Sequence, residues 1–167
     1  MIIKKVKKNK GFVLLYAVML SSILLAITVG VMEISYSEIK FGTSAKDTND
    51  AFFAADTGAE CALYYDKVSP NLFPVAGGAT EIMCANSSIT PTYSSGSGSG
   101  FYSFIIKNLG GESLISDRKG CAVVTVFKTE SSGQIISKGY NNNGVNCDTS
   151  NASTVERQLI LNYTIAN

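Results

Sequence analysis

Histidine and tryptophan are absent from the 167-residue chain, and proline occurs only three times. Without histidine the protein lacks the commonest general base and the commonest metal-ligating side chain. A nucleophilic cysteine would lack its usual basic partner for the same reason. Charged residues are also scarce, at 16% against 46% hydrophobic, with a mean hydropathy of +0.17. Such a composition excludes a disordered chain and supplies enough apolar side chains for one core, with an appendage. The net charge of +1 gives no global attraction for nucleic acid.

What charge there is lies unevenly. Lys4, Lys5, Lys7, Lys8 and Lys10 belong to an opening MIIKKVKKNKG, residues 1–11, and without them the rest carries nine basic and thirteen acidic residues, a balance of −4. Phe12 to Met32, FVLLYAVMLSSILLAITVGVM, then runs uncharged for 21 residues. As a helix this stretch is about 31 Å long, which matches a hydrocarbon core of roughly 30 Å. The preceding lysines orient it with the amino end inside. A secretory signal peptide is a poor description, because the apolar stretch is too long and no A-x-A site follows it. Two readings stay open: an uncleaved anchor, and a span whose boundary is set by Lys10-Gly11-Phe12. Ser22, Ala26 and Gly30 repeat at four-residue spacing inside the span, a small-residue stripe that permits close helix packing in lipid.

The helical pattern continues past the span. No proline occurs before Pro70, and Phe41, Ala45, Thr48, Phe52, Ala55, Ala59 and Ala62 step alternately by four and three. A helix over 12–67 is about 84 Å long, too long to be buried in a domain of this size, so its first half needs lipid or other helices as partners. Residues 33–67 are expected to enter a head as a core helix lying on a sheet. Ala51, Ala55, Gly58, Ala59 and Ala62 would let it approach that sheet closely.

KKNKGFVLLYAVML, residues 7–20, resembles the leader and first turns of a type IV pilin-like precursor. AFFAADTGAECAL, residues 51–63, is similar to the corresponding helix segment of PilX-type minor pilins. The resemblance covers residues 7–66 and thins beyond them. It implies a dedicated prepilin peptidase that cuts after Gly11 and methylates the new amino terminus at Phe12. It also implies partners in membrane lipid and in other pilin subunits, met through the N-terminal helix. The chain departs from the family at one point: where major pilins carry Glu at the fifth mature position, this sequence has Tyr16, and no acid precedes Glu33. A buried ammonium at Phe12 would find no counter-ion on another copy of this chain. The resemblance therefore implies a tip or minor position and no homopolymer.

From residue 68 the composition turns to that of an extracytoplasmic β-rich head. Residues 75–100 are rich in Gly, Ser and Thr, end in SSGSGSG, and are expected to form a flexible surface loop, since no Lys-Ser or Lys-Thr follows to make a phosphate loop. Strands are predicted at 101–107, 121–128, 133–140 and 157–164, with a hairpin turn at Glu130-Ser131-Ser132. Leu159, Leu161 and Tyr163 alternate with Ile160, Asn162 and Thr164. The expected fold is α+β: a long N-terminal helix packed on a small antiparallel sheet of about four strands.

Cys61, Cys84, Cys121 and Cys147 show no C-x-x-C pair, which argues against zinc. In an oxidising compartment they are disulfide candidates with three possible pairings; Cys61–Cys84 with Cys121–Cys147 is preferred because each closes a loop near its own element. Asp56, Glu60 and Asp66 read as a solvated helix face rather than paired catalytic carboxylates. Asn86, Asn151 and Asn162 begin glycosylation sequons, a short pattern that often arises by chance. No cofactor, metal, nucleic-acid or enzymatic role is indicated. The sequence points to a structural subunit, a minor pilin or pseudopilin of a type IV pilus-like filament. It would start as a single-pass precursor in the inner or cytoplasmic membrane and end in a cell-surface filament. The competing reading is a permanently anchored extracytoplasmic binding or adhesion module that does not polymerise.

Overall fold

A computed structural model of the chain describes residues 10–68, 72–78, 80–95, 100–110, 120–142, 147 and 153–165. One helix, α1, spans Lys10–Val68. Uninterrupted helical spacing and the absence of proline sustain it through Gly30, Gly42 and Gly58, and Pro70 follows two residues after its end. The chain divides into two units, residues 1–44 and 45–167. The first is helical wherever it is described. The second joins the rest of α1 to all the strands.

In the second unit a five-stranded antiparallel meander has the order β3 (Thr92–Ser95), β4 (Gly100–Leu109), β5 (Gly120–Lys128), β6 (Ser132–Tyr140), β7 (Glu156–Thr164). A separate hairpin pairs β1 (Ile82–Cys84) with β2 (Ser87–Ile89). The fold is α+β, as the sequence implies. The four predicted strands correspond to β4 to β7.

The 75–100 region differs from the expected loop, since it holds β1, β2 and β3 and starts β4; of the glycine-serine run, 96–99 lies outside the described residues. Polar TYSS hides an edge strand because its pairing comes from the backbone of β4, with Tyr93 opposite Tyr102 and their rings 5.1 Å apart. Two residues at positive φ, Ala85 and Asn86, close the β1–β2 turn.

Strand parity sorts the core. Tyr102, Phe104 and Ile106 of β4, Ala122, Val124 and Val126 of β5, and Ile135 and Ser137 of β6 are buried. Leu159, Leu161 and Tyr163 continue the same face on β7 through the register Ser137↔Leu159, Ile135↔Leu161 and Gly133↔Tyr163. Against that face lie Ala51, Ala54, Ala55, Gly58, Ala59 and Ala62, all buried.

The heptad stripe needs correcting at its aromatic members, since Phe41 is 78% exposed and Phe52 43%. Phe41 precedes the unit that holds the sheet, and for Phe52 the cause is how closely α1 approaches that sheet. A Cβ on Gly58 would stand 2.5 Å from Ser137 Oγ and 2.8 Å from Val124 Cγ2, and one on Gly139 would collide with the backbone of Ala51 and Ala55. Only small side chains fit such an approach, so the bulky ones turn outward. Phe73, fully buried, closes the core beyond the helix with Tyr102 and Phe104, at ring distances of 5.2 and 6.2 Å.

Candidate functional site

The first candidate is the amino-terminal half of α1. Its most apolar 18-residue window has a mean hydropathy of 2.5, and none of that window is buried. Phe12, Leu14, Leu15, Leu24 and Leu25 are each more than 60% exposed. By length and composition the helix can cross a membrane. The serine and threonine hydroxyls of residues 12–32 are satisfied inside the helix. Ser21 donates to Val18 O at 2.9 Å, Ser22 to Met19 O at 2.8 Å and Thr28 to Leu25 O at 2.8 Å. Hydroxyls returned to the i−3 carbonyl present no unpaired donor to lipid.

Ser22, Ala26 and Gly30 fall along one face of this helix, and nothing approaches the position of a Gly30 Cβ within 4 Å. Gly11 and Phe12 lie in its first turn, while leader residues 1–9 are outside the described part. Tyr16 is 57% exposed, with Glu33 the first acid after it.

The second unit is tied together at three places. Cys61 of α1 is bonded to Cys84 of β1, with Cα atoms 6.0 Å apart. Tyr65, one turn further on, reinforces that tie: its hydroxyl donates to Met83 O and accepts from Met83 N, each at 3.0 Å. Cys121 of β5 is bonded to Cys147, Cα to Cα 5.9 Å, beside buried Tyr140. Burial and the neighbouring carboxylate of Glu156 push the Tyr140 hydroxyl up to about 12.

The third tie escapes a reading of the sequence by composition. Asp66 is not part of a solvated face: its side chain is 2% exposed and meets Lys128 Nζ at 2.5 Å. Tyr163 donates its hydroxyl to the other carboxylate oxygen at 2.7 Å, and burial together with this bond pushes the Tyr163 pKa well above its ordinary value. The signal for all three lay in spacing. Asp66 follows Ala62 by four residues on the small-residue stripe, Lys128 has the parity of Val124 and Val126, and Tyr163 that of Leu159 and Leu161. Asp56 is half-buried and Glu60 exposed, so the three helix acids do not converge. Among the described residues, no group of three Cys, Asp or Glu side chains is placed to hold a metal ion.

A long apolar helix whose carboxyl-terminal part packs on an antiparallel meander through small residues is now defined. The architecture is pilin-like. Comparison with protein-family models, curated proteins and solved structures returned no match. The pilin-like assignment therefore rests on architecture, together with the resemblance at residues 7–20 and 51–63.

Proposed function

We propose that this pilin-like chain is a structural subunit, a minor pilin or pseudopilin made as a membrane-inserted precursor and cleaved after Gly11. The observation that supports it most is the combination in α1. One helix carries an unpartnered apolar half beginning at Phe12, and a second half committed by small residues to a sheet. A helix apolar all round needs lipid or other helices. Lipid serves before assembly, and neighbouring subunits serve within a filament. The two disulfides fit a head exported to an oxidising compartment. In this reading the partners are a prepilin peptidase, membrane lipid and other subunits, and no step of catalysis belongs to the chain itself.

The test is the intact mass of the protein from cells that carry the peptidase, with and without reduction. Expected is loss of residues 1–11, one methyl group on Phe12, and a gain of four hydrogens on reduction. Gly11→Val places a branched side chain where the peptidase needs close backbone approach, and the product should stay full length. Full-length wild-type protein under the same conditions would instead support the permanently anchored module.

A further inference from the structure

The sheet has a second face, and one end of it is hollow. Residues Phe127, Gln134 and Asn162 stand in a single cross-strand row, through the register Phe127↔Gln134↔Asn162, on the side away from α1. Together with Thr129, Ser132 and Thr164 they line a concavity of about 750 Å³ beside the β5–β6 hairpin. The concavity is open to solvent, and its volume is of the order of small-molecule sites, roughly 300–1,000 Å³.

Among the described residues, no charged side chain lines the hollow. Lys128 is engaged by Asp66, and Lys67 donates to Thr164 O while lying 4.8 Å over the Tyr163 ring. Gln134 Nε2 donates to Asn162 Oδ1 at 2.8 Å. That bond leaves Gln134 Oε1 as an acceptor and Asn162 Nδ2 as a donor that it does not use, on two residues that line the concavity. Such a pair suits a hydroxyl group, which donates and accepts at once. Phe127 adds a ring held in place by Phe101, at 5.4 Å between centroids. An aromatic face carries negative charge density and favours the weakly positive C–H edge of a sugar ring.

We propose that this hollow binds a neutral saccharide unit, with Gln134 and Asn162 gripping adjacent hydroxyls and Phe127 supplying the stacking face. An anionic ligand would find no cation among the described lining residues, Lys67 standing beside them against Thr164 O and the Tyr163 ring. A purely apolar one would cover Gln134 Oε1 and Asn162 Nδ2 without replacing the water they bind, at a cost in free energy. The site is independent of cleavage and polymerisation, so its test does not depend on the proposed subunit role.

The experiment uses the full chain in phospholipid nanodiscs, prepared without glycoside detergents. It is titrated by calorimetry and saturation-transfer NMR with neutral gluco-, galacto-, manno- and chito-oligosaccharides, and with a sialylated one. Expected is binding of at least one neutral saccharide with a Kd of about 1 mM or tighter, unchanged in about 1 M salt. Gln134→Ala and Asn162→Ala, both at partly or fully exposed positions, should each weaken it about tenfold with both disulfides retained. Phe127→Leu should weaken it as well, whereas Glu130→Gln in the adjacent turn should not. Failure of every neutral saccharide to bind, binding of the sialylated one alone, or wild-type affinity in both amide variants would overturn the proposal.

Discussion

Asp66, Lys128 and Tyr163 show how much a single position can carry. A carboxylate under a helix is tolerated because one oxygen meets an ammonium and the other a hydroxyl. Lys128→Met removes the cation and leaves a buried charge with one neutral donor. We expect a loss of about 3–5 kcal/mol in urea unfolding of the head, much of it recovered in the double variant Lys128→Met/Asp66→Leu. Tyr163 and Tyr140 give the head an alkaline limit. Both hydroxyls hold their protons more tightly when folded, so their contribution to stability is full below the ordinary tyrosine pKa near 10. It is lost as pH rises through that value toward the folded ones, about 12 for Tyr140. Tyr140→Phe should flatten the fall in melting temperature above pH ~10, and an unchanged slope would refute the linkage.

At the scale of elements, the contact between α1 and the sheet is decided by what is missing from the side chains. Gly58→Val would drive a branched side chain into Ser137, Val124 and Ala122. The helix cannot recede without releasing five buried alanines, so we expect a cost of about 1–3 kcal/mol in equilibrium unfolding. Gly30→Val, where nothing lies within 4 Å, should leave the same measurement unchanged. The β1–β2 hairpin is only two three-residue strands, too short to be stable alone. Its attachment to α1 through Cys61–Cys84 and Tyr65 is therefore structural. Replacing both cysteines by serine should cost about 3 kcal/mol and expose the amides of 82–89 to hydrogen exchange before those of the meander.

For the whole molecule, the decisive matter is how the apolar half of α1 is covered. If the proposed cleavage makes Phe12 the amino terminus, Tyr16 offers a neutral hydroxyl where its counter-ion would be needed. Stacked copies of this chain would each bury an ammonium without a charged partner, at about 3–5 kcal/mol for each contact. We predict that the mature protein expressed alone forms no filaments, yet labels sparsely along or at the tip of filaments built from a Glu-bearing subunit. Tyr16→Glu should restore some self-assembly. Abundant filaments of the unaltered chain, seen by electron microscopy, would reject the minor-subunit role.

Elements whose pattern repeats locally are legible in the order of the amino acids. Twenty-one uncharged residues after a lysine-rich opening state a helix long and apolar enough to cross a membrane, the small-residue run at 51–62 states a close-packed one, and four β-branched and aromatic stretches state β4 to β7. These properties follow from composition and period, which neighbours along the chain settle among themselves. Tertiary structure alone decided the rest. β3 is a strand because β4 offers it backbone partners, Phe52 faces out because Gly58 and Gly139 bring helix and sheet too close for it, and Asp66 is buried because Lys128 and Tyr163, 62 and 97 residues away, are there to meet it. The saccharide hollow belongs to the same class. Phe127, Gln134 and Asn162 lie far apart in sequence and become a row only when β5, β6 and β7 pair in register. Local spacing sets the face on which each side chain lies, and three-dimensional packing decides which side chains then meet across such separations.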